Sequence, residues 1–262
     1  MNEVLSIREQ LIIPADCPES VLSYPAIELA AIYSNDKNNL IILEKLLEIN
    51  KNESTINELL IKIIENIDTT SSIDAIKLLI KYGANVNYSG HPNWTAPIYC
   101  CIYFKNIEIM ELLIENGADI NIKSESNYIP LTYLQSPFTY SNSKKDFEII
   151  KLLIRKGIRS GKRSCSQINF QNDIGMTPMM LCFHYNYNYQ LPYTYDLTKL
   201  LLDNKADIYI KNNKGHNILK YLENNVIYDK YYSLIFNYKN LVNDHFCECD
   251  IDFIYLFHDS IF

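Results

Sequence analysis

The chain has 262 residues, of which 48% are hydrophobic and 21% are charged, and its formal net charge at pH 7 is -7. This acidic balance argues against a nucleic acid or an anionic membrane as partner, since both attract basic surfaces. The sequence has neither an apolar run of about eighteen residues nor the layout of a signal peptide, so we expect a soluble, intracellular protein. The cysteines, seven in number, are expected to be thiols without disulfides, with Cys100, Cys101 and Cys182 buried in helices.

One short pattern recurs along the chain. A leucine pair lies inside an amphipathic run, and in the best copies Gly-Ala-Asn/Asp follows it. The copies lie at 44–52, 76–87, 110–121, 150–158 and 198–209. Apolar residues three and four positions apart predict a short helix with one buried face. Gly83 and Gly117 are expected to end their helices in the left-handed conformation, which glycine adopts without steric cost.

A second apolar run precedes these helices. It begins with a proline followed by an apolar residue, at Pro25, Pro97, Pro130 and Pro178. Proline suits the first turn of a helix because its missing N–H would have no partner there. The hydroxyl groups of Thr95 and Thr177 can cap the same turn. Each unit is therefore predicted to contain two antiparallel helices.

These residues resemble a known repeat. Thr177-Pro178-Met179-Met180 and Ala96-Pro97-Ile98-Tyr99 resemble the Thr-Pro-Leu-His opening of ankyrin repeats, and the leucine-pair helix resembles the ankyrin second helix. The steps from Gly83 to Gly117 (34 residues) and from Pro97 to Pro130 (33 residues) are close to the ankyrin period of about 33. The resemblance implies an all-α ankyrin-repeat solenoid of about six helix-pair units with short β-hairpin fingers.

The predicted organisation has three parts. Residues 1–22 are expected to cap the first repeat, 23–240 to form the array, and 241–262 either to close its end or to begin a missing region. The units are placed at about 24–52, 54–87, 88–121, 122–163, 164–209 and 210–240. Insertions at 135–145 and 184–196 fall between the two helices of their units. They are expected to project from the edge opposite the fingers.

Partners of such an array usually dock on the fingers and the first helices, because inter-repeat packing does not consume those positions. The candidate partner-binding residues are Tyr88, His91, Trp94, Tyr99, Tyr103, Lys123, Glu125, Tyr128, Tyr133, Asn172, Asp173, Tyr187, Tyr189, Tyr193, Lys211, Asn213 and Lys214. Trp94 is either a binding anchor or packs on the neighbouring finger. The tyrosines of 185–195 are either a contact surface or a product of AT-rich coding.

Recognisable catalytic chemistry is missing from the sequence. It has no Gly-rich phosphate loop, nucleophile elbow or His-Glu-x-x-His helix. The irregular spacing of His245, Cys247, Cys249 and His258 is more typical of random clustering than of a zinc site. We expect a non-enzymatic protein without metal or cofactor. The alternative is an enzyme whose repeats dock substrate and whose chemistry lies near 245–258.

The irregular repeat spacing and the vocabulary rich in Asn, Ile, Lys and Tyr are similar to those of poxvirus ankyrin proteins. That resemblance implies a monomeric host-range or immune-evasion adaptor in the host cytoplasm, which binds an innate-immune or cell-death protein. Many members recruit a cullin ubiquitin ligase through a C-terminal F-box-like segment, whose Leu-Pro-x-Glu-Ile pattern residues 241–262 lack. The alternative is an ankyrin effector of an intracellular bacterium or giant virus that acts on trafficking or transcription.

Overall fold

The computed structural model describes residues 9–13, 24–49, 52–66, 71–89, 96–124, 127–134, 143–159, 168–184, 193–222 and 229–242. Twelve helices lie in these ranges, and none of their residues is in a β-strand. The helices are α1 Ala26–Ile32, α2 Lys37–Ile49, α3 Glu53–Glu65, α4 Ile73–Lys81, α5 Pro97–Phe104, α6 Ile107–Glu115, α7 Pro130–Tyr133, α8 Lys144–Arg159, α9 Pro178–His184, α10 Thr194–Asp203, α11 Ile218–Leu222 and α12 Asp229–Val242.

The helices form two layers. The odd-numbered helices pack on one another in order from α1 to α11, and contacts between second helices join α2 to α4, α6 to α8 and α10 to α12. Within each of the first five pairs the two helices also contact each other. The helical repeat predicted from the sequence is therefore present, and each pair is buried by its neighbours rather than by a single central core.

The leucine pairs supply this packing. The second leucine of each pair is buried, at Leu47, Leu79, Leu113, Leu153 and Leu201. The first leucine is only half-buried in three pairs, at Leu78, Leu112 and Leu200. Adjacent helix positions point about 100° apart, so only one member of a pair can face the neighbouring layer fully.

Local sequence sets where most helices begin. Helices α5, α7 and α9 begin at Pro97, Pro130 and Pro178, as predicted. The Thr177 hydroxyl accepts a hydrogen bond from the Met180 N–H (3.3 Å), whereas Thr95 lies outside the described residues. Asparagine or serine side chains cap α3, α4 and α6 in the same way.

Helix α3 begins before the apolar run of residues 56–67. It covers Glu53–Glu65. Asn52 accepts a hydrogen bond from the Thr55 N–H (3.0 Å), so the polar residues before the apolar run already form the first turn.

The turn after a second helix depends on more than glycine. Gly83 and Gly117 have φ values of +95° and +93°, as predicted, and Lys205 takes the corresponding place after α10 with φ +66°. Gly157 instead lies inside α8, which continues to Arg159. The next residue also differs, since a buried alanine follows Gly83, Gly117 and Lys205, whereas an isoleucine follows Gly157.

Part of the N-terminal segment packs on the first unit. Leu11 and Ile13 contact the buried side chains of α1, and the Asn39 side chain bonds both the N–H (2.8 Å) and the carbonyl (2.5 Å) of Ile12. The boundaries assigned to the cap, the array and the C-terminal region stay predictions. Residues 135–142, 185–192 and 243–262 lie outside the described ranges.

Candidate protein-binding surface

Three loops that follow second helices contain the same four-residue turn. The turns are finger A (124–127), finger B (172–175) and finger C (212–215). In each turn, the N–H of the first residue donates a hydrogen bond to the carbonyl of the residue that follows the turn, at 2.8, 3.1 and 2.9 Å in fingers A, B and C. The carbonyl of the first residue accepts a hydrogen bond from the N–H of the fourth residue, at 2.9, 2.8 and 2.8 Å. The fourth residue has a positive φ, of 54°, 75° and 77°. These fingers are hydrogen-bonded turns, and the β-hairpin form expected for them stays a prediction.

The three fingers are joined at their tips. Asp173 of finger B accepts a hydrogen bond from the Asn127 amide of finger A at its carboxylate (2.6 Å), and from the Asn213 amide of finger C at its carbonyl (2.8 Å). A Cβ on Gly175 would lie 2.6 Å from the Asn213 nitrogen, so only glycine permits this approach. The tips therefore form one continuous edge.

A second set of hydrogen bonds joins the loops nearer the helices. The Asn87 side chain accepts from the Asp119 N–H (2.7 Å) and donates to the Gly117 carbonyl (3.0 Å). Two units later, the Asn169 side chain accepts from the Asp207 N–H (2.8 Å). In both places the side chain of an asparagine, Asn87 or Asn169, therefore connects its own loop to the loop after the next second helix.

The first helices lie against the same loops. The Tyr99 hydroxyl of α5 is 2.7 Å from the Ile122 carbonyl and 2.5 Å from the Tyr128 carbonyl, on either side of finger A. Its ring packs edge to face on Tyr133 of α7, with centroids 4.9 Å apart. Burial raises the pKa of Tyr99 well above its usual range. One turn further along α5, Tyr103 is 55% exposed and remains accessible.

Three lysines, at 123, 211 and 214, lie in or next to the fingers. The Lys123 ammonium lies over the Phe170 ring, 5.3 Å from its centroid, and Lys211 and Lys214 are exposed. Within the described ranges no ion pair joins these three lysines to a carboxylate. Partial burial, and then the charge of Lys214, lower the pKa of His184 at the end of α9. Lys214 therefore lies close to the first-helix layer.

Three basic residues of the second helices instead pair with acidic residues of the preceding unit. Lys81 bonds Glu44 (2.9 Å), Arg155 bonds Glu111 (2.8 Å) and Lys156 bonds Glu115 (2.9 Å). The hydrogen bond to Glu44 raises the pKa of Lys81. Such exposed pairs add little stability each, but they neutralise the lysines that form them.

The predicted binding residues fall into four groups. Tyr103, Lys123, Asp173, Lys211, Asn213 and Lys214 are exposed, and Tyr88, Tyr128, Tyr133 and Tyr193 are half-buried. Tyr99 and Asn172 are buried. The Tyr99 hydroxyl bonds the backbone beside finger A and the Asn172 side chain bonds the backbone of finger B, so we remove both residues from the candidate surface. His91, Trp94, Glu125, Tyr187 and Tyr189 lie outside the described residues. Partner binding by the remaining residues stays a prediction.

Two exposed apolar residues were missed by the sequence reasoning. Ile174, in the turn of finger B, is 48% exposed, and Tyr209, before finger C, is 37% exposed. The signal for Ile174 was a β-branched apolar residue between Asp173 and Gly175, in a turn where polar residues predominate. Tyr193, by contrast, is engaged within the protein, because its ring stacks on Phe147 with centroids 5.7 Å apart.

The described residues offer little chemistry beyond binding. They contain no group of three or more His, Cys, Asp or Glu side chains that could hold a metal ion. Cys100, Cys101 and Cys182 are buried thiols that form no disulfide, and burial raises their pKa values. Among the same residues, no helix has both the length and the apolar character that a membrane crossing requires. The predicted cluster at 245–258 lies outside them.

Comparison with known proteins identifies the repeat in the first part of the chain. Residues 27–124 match the family model of ankyrin repeats, in three copies. That stretch includes α2 to α6 and nearly all of α1. No curated protein matches the chain.

Proposed function

From the ankyrin repeats of residues 27–124, we propose that this chain is a non-enzymatic adaptor that binds a protein partner. The observation that carries the proposal is the edge of hydrogen-bonded fingers beside the first helices. Its side chains include those of Tyr103, Lys123, Lys211 and Lys214, which are all exposed. A surface that is already ordered loses little conformational entropy on binding, so it suits recognition of another protein.

We extend the array beyond the matched stretch, to about six units with short hairpin fingers. Three observations support the extension. Helices α7 to α12 continue the same layers, and the turn of finger A recurs in fingers B and C. The side-chain bond from Asn169 to Asp207 also repeats the bond from Asn87 to Asp119. In a repeat protein, each unit is expected to have the same local geometry and the same contacts with the units beside it.

For the biological role, we propose a viral host-range or immune-evasion factor in the host cytoplasm. It would bind an innate-immune or cell-death protein and either block it or direct it to ubiquitin-dependent degradation. The support is the sequence resemblance described above. An ankyrin effector of an intracellular bacterium or giant virus is the alternative, and a partner from trafficking or transcription would favour it.

The test is to capture the partner and then to map its contact. The tagged full chain is expressed in human cells, captured proteins are identified by mass spectrometry, and the purified pair is mixed to measure its stoichiometry. We expect Tyr103→Ser to weaken the complex and Ile41→Ser to leave it unchanged. The two side chains are matched, because Ile41 on α2 is 54% exposed and Tyr103 is 55% exposed.

Other results would point elsewhere. Loss of the complex only on deletion of residues 185–192 would move the binding site from the fingers and first helices to the tyrosine-rich insertion. Weakening by Ile41→Ser alone would place the partner on the second helices. If no captured protein forms a defined complex with the purified chain, the adaptor function is wrong.

A further inference from the structure

The described residues in and next to fingers A, B and C include three exposed lysines and one apolar side chain, Ile174, exposed in a finger turn. Ile174 of finger B is 48% exposed. Its carbonyl accepts a hydrogen bond from the Asn213 N–H (3.2 Å), which brings the next residue, Lys214, beside it. The Lys211 carbonyl accepts from the Gln171 side chain (3.0 Å), just before finger B. We call Lys123, Phe170, Ile174, Lys211 and Lys214 the tip face.

Lys123 completes the tip face from the other side. Its ammonium lies 5.3 Å from the centroid of the Phe170 ring, and Phe170 immediately precedes Gln171. All three lysines of the tip face are therefore next to finger B. The only described carboxylate in these turns belongs to Asp173, and it already accepts the Asn127 amide at 2.6 Å. Glu125 of finger A lies outside the described residues.

From this arrangement we infer that the tip face binds a short acidic segment of the partner protein, with one apolar residue that contacts Ile174. The inference rests on the proposed function and specifies its partner. Among the described residues, these three lysines form no ion pair with a carboxylate and lie on loops next to an exposed apolar side chain. Such a surface complements a segment that carries carboxylates and one apolar residue. The hydrogen bonds between the fingers hold this pattern in place before binding, which lowers the entropic cost of recognition.

The charge of the whole chain limits the size of this acidic region. With a net charge of -7, the chain repels a partner that is acidic throughout. At physiological ionic strength the repulsion is screened beyond about 8 Å, whereas contacts at the tip face are closer than that. A short acidic segment therefore gains the local attraction without much of the long-range repulsion.

An unbiased peptide selection tests the inference. A random-sequence peptide library is selected on the immobilised full chain, and the affinity of an enriched peptide is measured by fluorescence anisotropy. We expect enrichment of Asp and Glu around one apolar residue, and weaker binding as salt is raised. Lys123→Glu with Lys211→Glu and Lys214→Glu is expected to weaken the enriched peptide at least about tenfold, and Ile174→Ser to weaken it separately.

The control keeps the change in net charge and moves it elsewhere. Lys37→Glu with Lys45→Glu and Lys199→Glu alters three exposed lysines on the second helices α2 and α10, and it should change the affinity by less than about twofold. Circular dichroism establishes that each variant is folded. Equal weakening by both triple variants would overturn the inference, because it would report net charge and not the tip face.

The outcomes separate this inference from the proposed function. Enriched peptides without acidic residues, or a library that yields no binder, would overturn the inference. The inference would also be overturned if a captured partner binds the triple tip-face variant normally but loses affinity with Tyr103→Ser. In that case the adaptor function still stands. If the purified chain forms no defined complex with any captured protein, the proposed function fails independently of the peptide result.

Discussion

The residue that follows a second helix offers a direct test of how backbone conformation limits stability. Lys205 has φ +66° at the place where Gly83 and Gly117 have φ +95° and +93°. A left-handed conformation costs a non-glycine residue about 1–2 kcal/mol. Glycine removes that cost, but it raises the entropy of the unfolded chain by an equivalent of about 0.4–1 kcal/mol. Lys205→Gly should therefore increase the free energy of unfolding by about 0.5–1 kcal/mol.

The reverse change is expected at Gly117. A Cβ built there meets no atom within 4 Å, so Gly117→Ala changes backbone energy without a clash. It should lower the free energy of unfolding by about 1 kcal/mol. Lys205→Ala is the control, because it removes the lysine side chain and keeps the left-handed cost. We expect that variant to change stability by less than about 0.5 kcal/mol.

Urea unfolding measures all three variants. Far-ultraviolet circular dichroism gives the midpoint and slope, and coincident fluorescence tests whether the transition is two-state. A change of about 1 kcal/mol shifts the melting temperature of a chain of this size by roughly 2–4 °C. A stabilising effect of Lys205→Ala equal to that of Lys205→Gly would refute the reasoning, because the gain would then come from the side chain and not from the backbone.

Three further predictions concern the packing and the titrating groups. Leu113→Ala should cost about 3–5 kcal/mol of unfolding free energy in urea titration, and Leu112→Ala less, because only Leu113 is fully buried; equal losses would contradict the two-layer packing. Cys182 should react with iodoacetamide only after unfolding, as mapped by mass spectrometry, since burial raises its pKa; rapid labelling of the folded chain would show that the thiol is accessible. Lys214→Ala should raise the pKa of His184 in an NMR titration, and no change in that pKa would place Lys214 farther from α9. Because the pKa of His184 is lowered in the folded chain, the unfolded chain binds the proton first, and the folded chain loses stability as the pH falls below about 6.5.

Local sequence was sufficient to predict most of the helical architecture. Proline is the first residue of α5, α7 and α9, and a glycine with positive φ, Gly83 or Gly117, lies just after the end of α4 and of α6. These signals act over one helical turn, so they can be interpreted without knowledge of the rest of the fold. The copy at 150–158 lacks the Ala-Asn/Asp that follows glycine in the best copies, and its Gly157 lies inside α8.

The candidate binding surface was harder to predict. Lys123, Lys211 and Lys214 were expected at the fingers and are exposed there. Tyr99 and Asn172 were expected to be available, but each is buried and holds finger backbone by hydrogen bonds. Ile174 was missed, although it is an exposed apolar residue in the turn of finger B. Sequence position identified the fingers, but it did not identify which of their side chains remain free to contact a partner.

The sequence by itself determined the repeating pair of short helices and the places where those helices begin and end, because these follow from interactions between residues a few positions apart. Only the tertiary structure decided which side chains are left for recognition. Asp173 contacts Asn127, 46 residues before it, and Asn213, 40 residues after it. The exposure of each finger residue therefore depends on neighbouring units, whose relative placement a single repeat does not encode.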